Sequence, residues 1–466
     1  MPPLPPAKLQ SLTRAMADTA AILLWEVLAN RRPADRVLAF HLRGHREFGS
    51  RDRRLLSELG YAIFRWWGWL RPLTPATFLA ALDAEAGFKP FDPAAPPREL
   101  PLDILRGIRI PDWMPLLLAT AVTETLEDET GALQFWAEAC GVQHLPEEAA
   151  DTAEARALHI TRELGFRTAG PPELEALIPD WAPAEIAAPR PLAELIAWFQ
   201  RRPPLWLRLQ NGDPAAVLAE LAAAELRPER SAALPDAVRT GNTRINLYLL
   251  PAYREGRVEI QDLASQAVGD VCAPVPGERW WDACAGAGGK TLLLARRMQG
   301  KGTVVASDVR AFKLEDVRLR ARRAGLFNIT SRPWDGRPLP VRKAVYDGVL
   351  VDAPCSCSGT WRRNPAARWS LDPQEAAAFP ELQLGILTAA ASAVKPGGVL
   401  VYATCSLFTR ENEGVVAAFL RNHPEFSLEP VRHPLTGAAT DGQVMTWPWD
   451  GDCDVLFAAR LRRRPL

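Results

Sequence analysis

Trp280-Trp281-Asp282-Ala283-Cys284-Ala285-Gly286-Ala287-Gly288-Gly289-Lys290-Thr291 is the stretch that decides how the second half of this chain folds. It opens on bulky strand-forming residues, passes through small ones, and continues with helical spacing over residues 292–298. A strand, a Gly-rich turn and a helix open a ligand site in an α/β sheet. Glycine there keeps Cβ atoms away from a ligand and allows positive φ. The helix start offers unpaired N–H groups to a polar or anionic group. From about Val258 onward, strand and helix signals alternate, the mark of a mainly parallel sheet. Strands are expected at residues 280–284, 303–307, 329–332, 348–352 and 399–404, with a helix over 381–394. The last strands should start at 426 and cover 454–461.

The ligand can be narrowed by near misses. A phosphate-binding Walker loop requires Gly, four residues, then Gly-Lys-Ser/Thr. Gly289-Lys290-Thr291 fit, but Cys284 stands where the first glycine belongs. A dinucleotide loop requires Gly-x-Gly-x-x-Gly, and Thr291 takes the third place. S-adenosylmethionine (SAM) is the remaining common reading. Asp308, closing the next strand signal, is placed to hold ribose hydroxyls. Asp282, Asp308, Asp335, Asp352 and Cys405 all fall at or near strand ends, where such sheets bind ligands.

With 466 residues the chain should hold two or three domains. Its 48% hydrophobic and 24% charged residues describe a soluble globular protein. Apolar runs such as residues 114–121 are too short for a bilayer, and Met1-Pro2-Pro3-Leu4-Pro5-Pro6 is no signal peptide. Seven scattered cysteines predict reduced thiols and a cytoplasmic location. The net charge is zero, so no global basic field advertises nucleic acid. Arginine nevertheless outnumbers lysine, which suits phosphate and base contacts.

Residues 9 to the 120s read as all-helical. Ser11 is expected to cap one helix and Ser50 another, with Leu55, Leu56, Leu59, Ile63 and Phe64 inward. Arg51, Arg53 and Arg54 crowd the second helix start as a solvated face or an RNA-phosphate contact. Ile110-Pro111-Asp112-Trp113 recurs at Ile178-Pro179-Asp180-Trp181, too short a match for a repeat. A strand near 201–209, a helix over 214–225 and short strands to Tyr253 suggest a small α+β module between Pro-rich joints.

Two cysteine motifs follow the fourth and fifth strands: Asp352-Ala353-Pro354-Cys355-Ser356-Cys357-Ser358-Gly359-Thr360 and Ala403-Thr404-Cys405-Ser406. Methylation of an exocyclic amine has no use for paired thiols. Methylation of pyrimidine carbon-5 does, because a thiolate adding to carbon-6 makes carbon-5 nucleophilic. Asp352 could hold the base edge, and the base must be single-stranded or flipped.

The segments 282–291, 352–360 and 403–406 resemble the RNA cytosine-5 methyltransferases. The branch they resemble comprises bacterial small-subunit (16S) ribosomal RNA methyltransferases with an amino-terminal domain similar to the antitermination factor NusB. Phe48-Gly49-Ser50-Arg51-Asp52-Arg53-Arg54-Leu55-Leu56 is similar to that domain's signature, and Arg202-Pro203-Pro204-Leu205-Trp206 to the linking module. The resemblance implies a multidomain protein: a NusB-like all-α RNA-binding bundle over 1–150, a helical linker and small α+β module over 151–257, and an α/β Rossmann-like SAM-dependent methyltransferase domain over 258–466. It implies Cys405 as nucleophile, Cys355 in product release, and Asp352 as a further catalytic residue. Cys284, Ala285, Gly286, Ala287, Gly288, Gly289, Lys290, Asp308, Asp335 and Asp352 would contact SAM or the target base. Arg362, Arg363 and Asn364 would lie near substrate.

This sequence departs from the family at Ala287, where proline is usual, at Cys357, where glycine or alanine is usual, and at Asn364, where histidine is usual. Cys140, Cys272 and Cys453 read as small core residues, and Cys284 as packing beneath the loop. Cys355-x-Cys357 lacks a matching ligand pair, so no metal is expected. The basic stretch 460–464 reads as a solvated strand end. The expected activity is SAM-dependent methylation of cytosine carbon-5 in 16S rRNA by a monomer. Transfer RNA or another RNA is the alternative target, and a non-catalytic RNA-binding assembly factor the alternative class.

Overall fold

Strands buried on both faces organise the second half of the chain. The computed structural model describes residues 4–86, 98–126, 130–146, 150–165, 172–241 and 245–465. Contacts group them into two compact units. The first comprises residues 1–184, 188–201 and 361–373; the second comprises 185–187, 202–360 and 374–466.

The second unit contains two sheets. Strands β1 (Leu205–Leu209), β2 (Glu229–Arg230), β3 (Ala237–Thr240) and β4 (Val258–Ile260) form an antiparallel sheet in the order β2-β3-β1-β4. Three of these strands lie where short strands of a small module were expected, β4 lies beyond them, and contacts group the sheet with the α/β sheet. The large sheet contains β5 (Arg279–Asp282), β6 (Thr303–Ala306), β7 (Ile329–Ser331), β8 (Tyr346–Asp352), β9 (Val394–Thr404), β10 (Phe426–Leu428) and β12 (Leu456–Arg463). Their order is β10-β12-β9-β8-β5-β6-β7, and β11 (Gln443–Thr446) pairs with β12. The strands from β7 to β9 run parallel, and β12 is antiparallel to β9, β10 and β11. The result is a Rossmann-like sheet with an antiparallel edge.

Side-chain alternation fixes its two faces. Trp281, Val349, Val351, Leu400, Tyr402, Phe457 and Ala459 share one core. Trp280, Leu350, Val401, Ala403, Leu456 and Ala458 share the other. Because both faces are covered, the strands read as continuous hydrophobic runs. Gly348 is required by Trp280, since a Cβ there would lie 2.2 Å from the indole. The chain passes from β5 outward to β7, then returns to β8 on β5's other side. This switch point opens a crevice beyond the carboxyl ends of β5 and β8.

The first unit is helical, with long helices at Pro6–Leu24, Ser50–Arg65 and Ile110–Glu124. Ser11 lies inside the first of these, which begins with Pro at its first turn, where the missing N–H costs nothing. Gly49, not Ser50, precedes the second, and the Asp52 carboxylate accepts its N–H at 3.0 Å. Arg53 donates to the carbonyls of Leu42, His45 and Phe48, covering the end of the helix Ala34–Gly44. Positive charge suits a helix carboxyl end, so this arginine has a structural role. No described helix is long and apolar enough to cross a membrane.

Candidate active site

The loop after β5 is held in place by the strands and helices around it. Asp282 is buried, and the Thr291 hydroxyl donates to it at 2.6 Å. Burial pushes its carboxyl up to about 7, against the Thr291 hydrogen bond. Gly286 has φ +52° and Gly288 φ +87°, the left-handed region that favours glycine. Nothing lies within 4 Å of where a Gly286 Cβ would stand, so that surface is open to a ligand. The helix Gly289–Arg297 begins behind it.

Asp308, after β6, accepts the Gly286 N–H at 2.9 Å and the Arg310 N–H at 2.8 Å. Burial alone would raise its pKa; the Arg310 guanidinium and the two N–H groups outweigh it and hold the carboxyl low. An ionised carboxylate is thus fixed at the loop's edge. Cys284 is half-buried, and its thiol is pushed up by burial and by the charges of Asp282, Asp352 and Asp308. Asp335 is exposed on the next loop and accepts the Arg337 N–H, while the adjacent Trp334 N–H bonds to the Asp308 carbonyl.

The small sheet braces this loop. Arg208 of β1 is 1% exposed and donates to the Gly289 carbonyl at 3.0 Å. Burial lowers its pKa to about 9, with Glu259 acting the other way. Glu259 of β4 is equally buried and binds Arg320 and Arg323, and Arg320 donates to the Ala287 carbonyl at 2.6 Å.

Asp352 ends β8, and Lys290 reaches it from the helix start at 2.8 Å. Burial would lower the Lys290 pKa, but Asp352 raises it overall, so the ammonium is retained. Beyond Asp352, Cys355 Sγ lies 3.5 Å from Cys405 Sγ at the end of β9. Cys357 completes a group of three thiols within 4.8 Å of one another. The Cys405 thiol stands well above its ordinary pKa: its contact with Cys355 pulls it down, while that with Cys357 and burial push it up.

Sequence reasoning missed the support beneath these thiols. Glu411, fully buried, accepts from the Ser356 N–H at 3.0 Å, Gln383 at 2.8 Å and the Ser406 hydroxyl at 2.7 Å. Ser356, Ser358 and Ser406 bring their hydroxyls within 3.0–3.3 Å of one another. Asn412 donates to the Ser406 carbonyl at 2.9 Å. The Gly359 N–H bonds to the Cys405 carbonyl at 2.9 Å, joining one cysteine loop to the other. The signal was Glu411-Asn412-Glu413, separated by four residues from the second cysteine motif.

Other expectations need correction. Arg362 is only 2% exposed, inside the helical unit, donating to the Arg201 carbonyl at 3.0 Å over the Trp198 ring. Its guanidinium is therefore packed and not presented to solvent. Arg363 and Asn364 are exposed beside it in the same unit. Cys272 and Cys453 are core residues, but Cys140 is only half-buried. The basic stretch 460–464 is solvated only at its end: Arg460 and Arg462 pair with Glu429 and Arg463 donates to the Val394 carbonyl, while Arg464 is exposed.

A parallel sheet with a glycine loop at its switch point and an ionised carboxylate after the next strand defines a SAM-dependent methyltransferase domain. Residues 270–462 match the family described as "16S rRNA methyltransferase RsmB/F". The chain is 32% identical over 313 residues to "Probable ribosomal RNA small subunit methyltransferase B" of Bacillus subtilis, covering 65% of this chain and 68% of that one. To the protein of the same description from Synechocystis it is 34% identical over 282 residues, covering 58% and 62%. Ribosomal RNA small subunit methyltransferase B of Sodalis glossinidius is 34% identical over 286 residues, covering 60% and 65%. The chain thus spans a little under two thirds of two of these relatives. The crystal structure of PH0851 superposes with a TM-score of 0.70 at 25% identity, covering 97% of this chain and 99% of that one. NSun6 from Pyrococcus horikoshii with SFG shares the fold, with a TM-score of 0.52 at 19% identity, covering 58% and 94%. The chain belongs to the RsmB/F family of 16S rRNA methyltransferases.

Proposed function

We propose that this protein methylates carbon-5 of a cytosine in small-subunit ribosomal RNA, using SAM and a covalent cysteine intermediate. The observation that carries the reading is the 3.5 Å approach of Cys355 and Cys405 at the ends of adjacent strands. The open Gly286 face and the fixed Asp308 carboxylate suit SAM, whose ribose hydroxyls Asp308 would accept and whose remaining contacts would fall on Cys284 to Lys290 and Asp335. When bound, SAM supplies an electrophilic methyl group.

The chain's own residues do the rest. Cys405, once deprotonated, adds through sulfur to cytosine carbon-6. Asp352, held by Lys290, binds the base edge and favours protonation at the ring nitrogen, so electron density moves to carbon-5. Once carbon-5 carries the methyl group, its proton passes to solvent with the help of Cys355, that electron pair re-forms the carbon-5–carbon-6 double bond, and the carbon–sulfur pair leaves on Cys405 as thiolate. The helical unit, whose signature resembles NusB, would position the RNA, with Arg363 and Asn364 on its exposed surface.

The test combines substrate and mechanism. Protein and radiolabelled SAM are incubated with RNA from cells lacking the gene, and label is expected in small-subunit rRNA, released as 5-methylcytidine. Cys405→Ser should abolish labelling with SAM affinity unchanged. Cys355→Ser should accumulate an RNase-sensitive protein–RNA adduct on a denaturing gel. Label in another nucleoside, or full activity of Cys405→Ser, would end the carbon-5 reading. Label in transfer RNA would keep the chemistry and change the target.

A further inference from the structure

Cys355 and Cys357 are separated by one residue and are too few ligands by themselves to hold a metal. The fold adds a third. Cys405 comes from the neighbouring strand, and the three Sγ atoms lie within 4.8 Å of one another. Three thiolates bound at ~2.3 Å with tetrahedral angles hold their sulfurs ~3.8 Å apart. The observed spacing, with one pair at 3.5 Å, therefore needs only small side-chain adjustments to meet a single ion.

A second observation concerns how the third thiol is placed. Cys357 has φ +55°, left-handed backbone that favours glycine. That conformation is pinned, because the N–H and hydroxyl of Thr360 both bond to the Cys357 carbonyl, at 3.0 and 2.8 Å. The twist brings a thiol toward the other two where a residue without a side chain would be easier to fit. Cys357 is exposed while its partners are half-buried, so an ion has a path in and a water can supply a fourth ligand.

We propose that Cys355, Cys357 and Cys405 form a binding site for one thiophilic divalent cation of the zinc type. Three soft sulfur ligands select such an ion over calcium or magnesium. Binding breaks three S–H bonds, forms three metal–sulfur bonds and releases the protons to solvent, with no change of oxidation state. The bound ion takes one lone pair from each of the three sulfurs, draws off their charge and so lowers their reactivity toward electrophiles. In the reaction proposed above this would silence the nucleophile, a consequence that rests on that reading; the binding site itself rests only on the thiol geometry.

The probe is Co2+, then Zn2+, added to reduced full-length protein. One equivalent of Co2+ should produce a thiolate charge-transfer band, and Zn2+ should displace it. Cys357→Ala should bind at least tenfold more weakly, with its circular dichroism spectrum unchanged and with SAM affinity retained. Cys357→Ser should behave the same way. Zn2+ should also protect Cys355 and Cys405 from iodoacetamide, read residue by residue by mass spectrometry, in the native chain but not in Cys357→Ala. Failure to form the band, equal affinity in both chains, or unprotected Cys405 at saturating Zn2+ would each overturn the site. None of these readouts depends on methylation, so loss of the methyltransferase reading and loss of the ion site would be told apart.

Discussion

Asp282 shows how a single buried carboxyl couples the glycine loop after β5 to stability. Its folded pKa of about 7 lies well above the ordinary carboxylate value of 3.8. Between those values the folded state keeps a proton that the unfolded state releases, so stability falls as pH rises from about 4 toward 7. Above 7 the folded chain carries the full cost of a buried charge. Asp282→Asn removes that charge and can still accept the Thr291 hydroxyl. The variant should be more stable than the native chain by roughly 1–3 kcal/mol at pH 8, with the gap closing near pH 4. Thermal melts across that range decide it, and a gap independent of pH would mean that Asp282 ionises normally in the fold. Lys290 shows the opposite balance, where a partner carboxylate overrides burial and keeps the charge.

At the scale of elements, the two cysteine loops act as one body because Gly359 lets them touch. A Cβ at that position would lie 2.3 Å from the Val455 carbonyl oxygen and 2.9 Å from that of Cys405. Gly359→Ala should therefore cost roughly 1–3 kcal/mol in urea unfolding. Methylation should fall more steeply than stability, since the Cys405 backbone is displaced; equal stability and activity would show that the loops are not coupled. The parallel strands were legible because burial on both faces leaves runs such as Gly348-Val349-Leu350-Val351 almost wholly apolar. The strand ends that bear Asp282, Asp352 and Cys405 followed from the same signal. Short β11 and the bounds of the first helix were not legible, since a four-residue strand carries little pattern and Pro6 started the helix earlier than Ser11. The Glu411 network was missed because its partners at 356, 383 and 406 are distant in sequence. The burial of Arg362 was not legible for a related reason: a motif shows that an arginine is present, not that Trp198 and Arg201 pack against it.

The whole molecule is divided by contacts, not by a single cut in the chain. Residues 361–373 leave the α/β unit and belong to the helical one. There Trp361 is fully buried, Trp369 donates to the Phe64 carbonyl at 2.7 Å, and Arg31 pairs with Asp372 at 2.7 Å. Arg368 donates to the Leu177 carbonyl at 2.7 Å. A fragment starting at residue 202 would carry this stretch without its partners. It should bind the dye ANS and aggregate, and co-expression with residues 1–201 should restore a soluble, co-purifying pair. A monomeric, dye-silent fragment would show that the stretch folds back on its own unit.

That excursion also sets an order of events during synthesis. The amino-terminal helices emerge from the ribosome first, yet their last packing partner is encoded after residue 360. At ordinary elongation rates the helical unit waits roughly ten to thirty seconds for it. Over that interval the Phe64 carbonyl lacks Trp369 and Arg31 lacks Asp372. For the same reason, moving the whole unit into another protein would require two separated pieces of gene to be carried together.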